Sequence, residues 1–168
     1  MEHWRGVRLS PPQPLAASHI LDEFACGQAS LDEWLKRRAP TNQWSGASRT
    51  FVVTDPDRRV LGYYAMAAGA VSHQTATGAV RRNIPDPVPV MVLARLAVDR
   101  RAQGLKLGGA LLRDAVGRAV AVSRDVGVQA VLVHALHEHA KRFYEHYGFQ
   151  ASPLHSMVLM LRLKTVKP

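Results

Sequence analysis

Two stretches of this chain carry residue types at spacings that suit chemistry. The first runs Leu96-Ala97-Val98-Asp99, then Arg100-Arg101-Ala102-Gln103-Gly104-Leu105-Lys106-Leu107-Gly108-Gly109. Here an apolar strand feeds a glycine-bearing turn that opens a helix. Helix N-termini expose unpaired amides and the positive end of the dipole, and glycine lets a ligand oxygen approach the backbone closely. The pattern therefore suits a phosphate. It is not a Walker A loop, because GxxxxGK[ST] is absent, and it makes no persuasive dinucleotide fingerprint. The second stretch is His137-Glu138-His139-Ala140-Lys141-Arg142-Phe143-Tyr144-Glu145-His146-Tyr147-Gly148-Phe149. Ala140, Phe143, Tyr144 and Tyr147 fall on neighbouring helical positions. Phe143 and Phe149 read as an aromatic core stripe. Tyr144 differs, since a phenol has a proton to give.

Three basic groups suit a polyanion: Lys36-Arg37-Arg38 on a helix, Arg81-Arg82 in a loop, and Arg95. Arg95 interrupts an apolar strand, where a free charge is costly to bury, so it is expected to reach an opening or a partner. Arg58-Arg59, at a hairpin turn, reads as solvated surface. His73 and His134 stand at strand ends as alternative proton carriers, although a lone histidine is more often a structural hydrogen-bonder.

The elements that must position these residues are legible from pattern. Val7 to Leu9 is a short strand, stopped by Pro11, Pro12 and Pro14. Ser18 to Ala25 is expected as a short helix. Ser30-Leu31-Asp32-Glu33 has the capping-box pattern, which predicts a helix from Leu31 through Lys36 that Pro40 ends or kinks. Thr50 to Thr54 and Val60 to Val71 form a hairpin across the Asp55-Pro56-Asp57 turn. Arg81 to Pro87 is a loop, its two prolines excluding regular structure. Val88 to Val98 is expected as a central strand covered on both faces. From Leu107 the period becomes helical, with Leu111, Ala115, Ala119 and Val122 on one apolar face and Gly127 as the stop. Ala130 to Ala135 is a strand, Glu138 to Tyr147 a helix closed by Gly148, and Met157 to Leu163 a last strand. The order is strand, two helices, three strands, helix, strand, helix, strand: a mixed α/β sheet around a βαβα unit.

With 168 residues the chain is expected to form one domain, spanning 1–168. Its 47% hydrophobic and 21% charged content is ordinary for a globular protein. One cysteine, Cys26, excludes a disulfide framework and a cysteine-based zinc site. No metal is expected. The most apolar run, Ala65 to Val71, is too short to cross a bilayer, and the N-terminus lacks an apolar core of signal-peptide length. A cytoplasmic location is therefore expected. The net charge of +9 favours polyanionic partners such as nucleic acid, a phosphorylated cofactor or an acidic protein.

A pyrophosphate turn leading into a helix, then a strand, then Ala140-x-x-Phe143-Tyr144-x-x-x-Gly148-Phe149, resembles the GNAT acetyltransferases. The runs GQASLDEWLK, ASRTFVV, GYYAMAAGAVSH and RRNIPDPVPVMVLARLAVD narrow the resemblance to acetyltransferase toxins of the TacT/KacT type, over nearly the whole chain. The resemblance implies a GNAT fold and acetyl-CoA as cosubstrate. It implies acetylation of the α-amine of aminoacyl-tRNA, arrest of translation, a ribbon-helix-helix antitoxin and a homodimer. By it, Tyr144 is the general acid that protonates the leaving thiolate. Leu96, Ala97, Val98, the run Gln103 to Gly109, and Phe143 hold the cofactor. Lys36, Arg37, Arg38, Arg81, Arg82 and Arg95 hold the tRNA. Two positions depart from the pattern: most relatives have glycine where Lys106 stands, and many superfamily members have asparagine where His137 stands. Lys106 carries a Cβ that crowds the pyrophosphate and an ammonium that can pair with it.

Acyl transfer to an amine needs the amine neutral, a donor for the carbonyl oxygen and a proton for the sulfur. Val90 to Val98 contains no Asp or Glu, so no strand carboxylate serves as base. An α-amine, with a pKa near ~8, meets that condition better than a lysine near ~10. Two rivals stand beside this reading. A housekeeping GNAT would acetylate a small amine or a protein terminus and ignore charged tRNA. A noncatalytic module, its turn spoiled by Lys106, would not bind acetyl-CoA.

Overall fold

The computed structural model describes residues 2–4 and 7–165. In chain order these form β1 (Glu2–Trp4), β2 (Val7–Leu9), β3 (Gln13–Pro14), α1 (Ala29–Arg37), α2 (Ala39–Ser45), β4 (Arg49–Thr54) and β5 (Val60–Val71). There follow α3 (Gly78–Arg81), β6 (Val88–Val98), a 3-10 turn (Arg100–Ala102), α4 (Leu107–Ser123), β7 (Ala130–His134), α5 (Glu138–His146), β8 (Gln150–Ala151), β9 (Val158–Arg162) and a 3-10 turn (Leu163–Thr165). Strands β1 and β2 pair as a separate ribbon, and the other seven form one mixed sheet in the order β3-β4-β5-β6-β7-β9-β8. The expected mixed α/β class holds. Strands β5 and β6 have the bounds their apolar runs predict.

Several local expectations are corrected. No helix forms over 18–25, which is a series of turns joined by one bridge at Ile20. Ser30 is not a cap. Helix α1 begins two residues earlier, after Gln28, and no side chain caps it. Asp32 accepts the amide of Cys26 and so ties the start of α1 to the preceding loop. Helix α1 does end short of Pro40, at Arg37, but a second helix follows at once, and the missing N–H of Pro40 costs nothing in the first turn of α2. A single helical turn, α3, reaches Arg81 from the side preceding the prolines, with Thr77 capping it through Val80 N. Helix α4 stops at Ser123, before Gly127, and Val122 is exposed instead of joining Leu111, Ala115 and Ala119 in the core. Strand β2 ends at Leu9, before the prolines, as expected, and Pro14 lies in a separate strand, β3, at the sheet edge opposite Phe51. Strand β6 is not covered on both faces, as Ala94 is exposed and Met91, Val92, Leu96 and Val98 are half-buried. It is β5 that is buried continuously, from Val60 to Met66.

The chain divides into two compact units, residues 1–67 with 95–115, and residues 68–94 with 116–168. In the first, Leu15, Phe24, Leu31, Leu35, Val52, Val60, Tyr63 and Ala97 form the core. Leu31 and Leu35, four apart on α1, bury one helical face, each worth on the order of 2 kcal/mol. Tyr63 hydroxyl donates to Leu31 O at 2.7 Å, and its ring stacks on Trp34. At Gly62 a Cβ would come within 3.0 Å of Leu107 Cδ2 and Leu111 Cδ1, so glycine lets the start of α4 lie directly on β5. Tyr64 hydroxyl donates to Asp114 on the same helix. In the second unit Val71, Val80, Val88, Val90, Ala130, Leu132, Val158 and Met160 form the core. There β6 runs parallel to β7 from Val90↔Ala130 to Leu93↔Val133, and β7 pairs antiparallel with β9.

Candidate functional site

The chain from β6 into α4 is held by a set of polar contacts that the sequence did not advertise. Asp99, only 1% exposed, is their centre. Its Oδ1 accepts the amide and Nε of Arg101, both at 2.8 Å, and its Oδ2 accepts the amide of Ala25 at 2.9 Å. Burial alone pushes this carboxyl upward. The Arg101 guanidinium and the two amides outweigh it and hold the pKa below the ordinary value. Arg100 N donates back to Ala25 O, and Gln103 Nε2 donates to Cys26 O at 2.8 Å and Val98 O at 2.9 Å. Expected as a cofactor residue, Gln103 thus spends its side-chain amide pinning the turn to the loop before α1. Glu23 joins Arg101 and Arg59 at 3.9 Å each, and Arg59 bonds Asp55 at 2.7 Å, so Arg59 is a hairpin clamp and not merely solvated surface.

The turn itself bends through two left-handed residues, Gly104 at φ +81° and Lys106 at φ +62°. Glycine adopts this conformation freely, and nothing lies within 4 Å of a Cβ built at Gly104. Lys106 is a side-chain residue in a glycine conformation, at a cost of about 1 kcal/mol. Its ammonium and the exposed backbone of Gly104 stand directly before the seventeen-residue α4. Leu105 and Leu107 are buried and anchor the turn from inside, while Gly108 is half-buried and Gly109 buried. Open backbone, a positive side chain and a helix N-terminus together fit a pyrophosphate. Upstream, Ala97 points into the core of its unit, whereas Leu96 and Val98 are half-buried.

A second group of candidate residues lies on α5. His137 caps the helix, its Nδ1 accepting the amide of Ala140 at 3.1 Å, the task asparagine performs equally well at an N-cap. Tyr144 is the buried residue of this helix, and Phe143 and Phe149 surround it with ring centroids 5.2 and 5.5 Å away. Burial pushes its phenol up to about 12. Phe149 is core, as expected, while Phe143 is half-buried and also packs on Tyr147.

Lys36, Arg37 and Arg38 are exposed at the end of α1, with Arg37 reaching Glu33 at 3.5 Å. Arg95 is half-buried, and its partner is aromatic: the guanidinium sits 5.2 Å from the centre of the Trp34 ring. Arg81 and Arg82 are exposed, but Arg81 Nη1 donates to His73 O at 3.0 Å. His73 Nε2 lies 2.6 Å from Ile84 O, so this histidine is a structural hydrogen-bonder. No group of three or more metal-ligating side chains occurs among the described residues. No helix among them is long and apolar enough to cross a membrane.

Comparison with known proteins bears on the family. A family model described as an acetyltransferase (GNAT) domain matches residues 46–151. A tRNA-acetylating toxin of Mycobacterium tuberculosis is 49% identical over 158 residues, covering 94% of this chain and 95% of that protein. The solved structure of AtaT complexed with acetyl-methionyl-tRNAfMet is similar at TM-score 0.87 and 26% identity, covering 95% of this chain and 97% of that one. A tyrosine-to-phenylalanine mutant of the AtaT toxin, bound to the C-terminus of the antitoxin AtaR and acetyl-CoA, is similar at TM-score 0.81 and 26% identity, covering 94% of each chain.

Proposed function

The chain belongs to the GNAT acetyltransferase family and is an acetyl-CoA-dependent N-acetyltransferase, and from that premise we propose that it acetylates the α-amine of aminoacyl-tRNA and so blocks translation. We further propose that it acts as a homodimer and that a ribbon-helix-helix antitoxin restrains it. The observation that carries this reading is the 49% identity, across 94% of the chain, to a tRNA-acetylating toxin. The complexes of AtaT with acetylated tRNA and with its antitoxin support the same substrate and the same kind of partner.

When bound, acetyl-CoA supplies an acyl group activated as a thioester. The backbone from Gly104 to Gly108 and the Lys106 ammonium would hold its phosphates, and the half-buried Leu96 and Val98 would help to hold the arm that carries the acyl group. No base is drawn from the strand: its apolar run ends at Asp99, and both carboxylate oxygens there are committed to Arg101 and the Ala25 amide. The acceptor must therefore arrive neutral, which suits an α-amine with a pKa near ~8. Tyr144, kept protonated throughout the physiological range, holds the proton at its phenol oxygen for the leaving sulfur. The exposed basic end of α1 and Arg82 would meet an RNA backbone.

Incubation of the protein with isotopically labelled acetyl-CoA and a pool of aminoacyl-tRNA tests this reading. Label should appear on the amino acid released from tRNA, with a mass shift of one acetyl group. Label confined to small amines or protein termini would replace the tRNA reading with the housekeeping one. Induced alone, the protein should stop growth and translation together, and co-expression of its antitoxin should restore both.

A further inference from the structure

Helix α2 carries a large aromatic side chain that the fold does not use. Trp44 is 91% exposed, whereas Trp34 on the neighbouring α1 is stacked between Tyr63 and Arg95. Tryptophan is on average among the well-buried residues, so an indole left almost wholly in water is an unusual placement. Nor does α2 need it. The helix is seated by the fully buried Ala39, and Trp44, five residues on, projects away from that contact.

The surroundings of Trp44 are cationic. Arg49 Nη1 donates to Gln43 O at 2.7 Å, which fixes its guanidinium at the end of α2 beside the Trp44 backbone. Lys36, Arg37 and Arg38 are exposed immediately before the same helix. From Lys36 to Arg49 the chain contains four cations and no carboxylate. A bare indole among fixed and mobile cations matches single-stranded nucleic acid, whose bases have π faces to stack and whose phosphates need neutralising. An acidic protein segment would use the cations but has no need of an exposed ring.

We propose that Trp44 is a stacking platform for an unpaired base of the RNA that carries the acceptor amine, with Arg49 and the Lys36 to Arg38 run holding the adjacent phosphates. This rests on the tRNA reading above and adds to it a specific binding contact.

The test uses the full-length protein and bulk tRNA, with the variants Trp44→Ala and Trp44→Phe. Trp44→Ala should weaken tRNA binding about ten-fold or more, the scale of one lost base stack, and Trp44→Phe should recover most of it. Stacking releases no counterions, so the Trp44→Ala line of log affinity against log salt should be lowered at unchanged slope. Indole emission should be quenched on adding tRNA to the wild type, with the Trp44→Phe protein losing that part of the signal. Acetyl-CoA affinity should not move. If the wild type binds tRNA and Trp44→Ala binds it equally well, the platform is overturned while the tRNA reading stands. If the wild type binds no tRNA, both fall. Dissociation of a wild-type dimer by Trp44→Ala, seen by light scattering with tRNA affinity unchanged, would assign the indole to a contact between copies and overturn the proposal.

Discussion

The turn from Gln103 to Gly109 and the tyrosine helix are positioned by different physics. Before α4 the backbone is held by polar contacts: Asp99 takes three amide and guanidinium hydrogens at 2.9 Å or less, and Gln103 ties two carbonyls. The geometry is directional and includes a residue, Lys106, in a conformation that side chains disfavour. Around Tyr144 the contacts are aromatic faces and edges, which hold a ring in place and exclude water but orient no backbone. The difference suits the work proposed for each. A phosphate is bound by aiming amides, so its site must fix the main chain. A phenol that keeps its proton needs a dry apolar setting.

Variants that cross these two modes sharpen the comparison. The largest effect is expected at Gly108→Glu, which sets a carboxylate at the start of α4. Like charges brought together at a binding surface cost several kcal/mol, so calorimetry should show acetyl-CoA affinity reduced ~10²–10³-fold in a folded protein. Retained affinity would move the cofactor away from this turn.

Tyr144→Phe should leave acetyl-CoA affinity unchanged and cut turnover by roughly 10²-fold. In the wild type, the rate should rise with pH as the amine deprotonates near ~8. It should show no descending limb before the phenol ionises at about 12, because the acid form persists below that value. A bell-shaped profile with a limb near neutrality would name a different acid.

Asp99→Asn tests whether the polar clamp is structural. Losing charge-assisted hydrogen bonds should cost about 2 kcal/mol, or ~4–8 °C in Tm for a chain of this size. The folded carboxyl titrates below its unfolded value of 3.8, so its contribution is present above that pH and disappears as pH falls through the folded value. The stability gap between wild type and variant should therefore be full at neutral pH and close below about pH 4. A gap independent of pH would mean that the charge is not what holds the turn.

The smallest effect is expected at Lys106→Gly. Relief of the left-handed strain, less the extra chain entropy of glycine, should raise Tm by roughly 1–3 °C. Acetyl-CoA affinity should hold or tighten. A collapse of affinity would show that the ammonium outweighs the strain as a phosphate partner.

Local rules carried some of this molecule and failed at identifiable places. The apolar runs Val60 to Val71 and Val88 to Val98, the period change at Leu107 and the Glu138 helix were all legible, because each is set by neighbours two to four residues away. Ser30-Leu31-Asp32-Glu33 misled because the helix begins two residues earlier, at Ala29, which puts Ser30 inside the first turn and not at the cap. Pro40 marked the end of the first helix but not the second helix that begins there.

By itself, the sequence determined the mixed α/β class, the two chemical stretches, their order and the absence of a carboxylate on the strand between Val90 and Val98, since all of these are properties of residue type and spacing. Only the tertiary structure decided that Asp99 is a buried anchor and that Gln103 spends its amide on Cys26 and Val98. It alone decided that Arg95 lies over Trp34, that Lys106 sits in a left-handed conformation and that Trp44 faces water. Each of these depends on which groups meet across long separations in sequence. Asp99 and Ala25 are seventy-four residues apart, and no local pattern records such a partner.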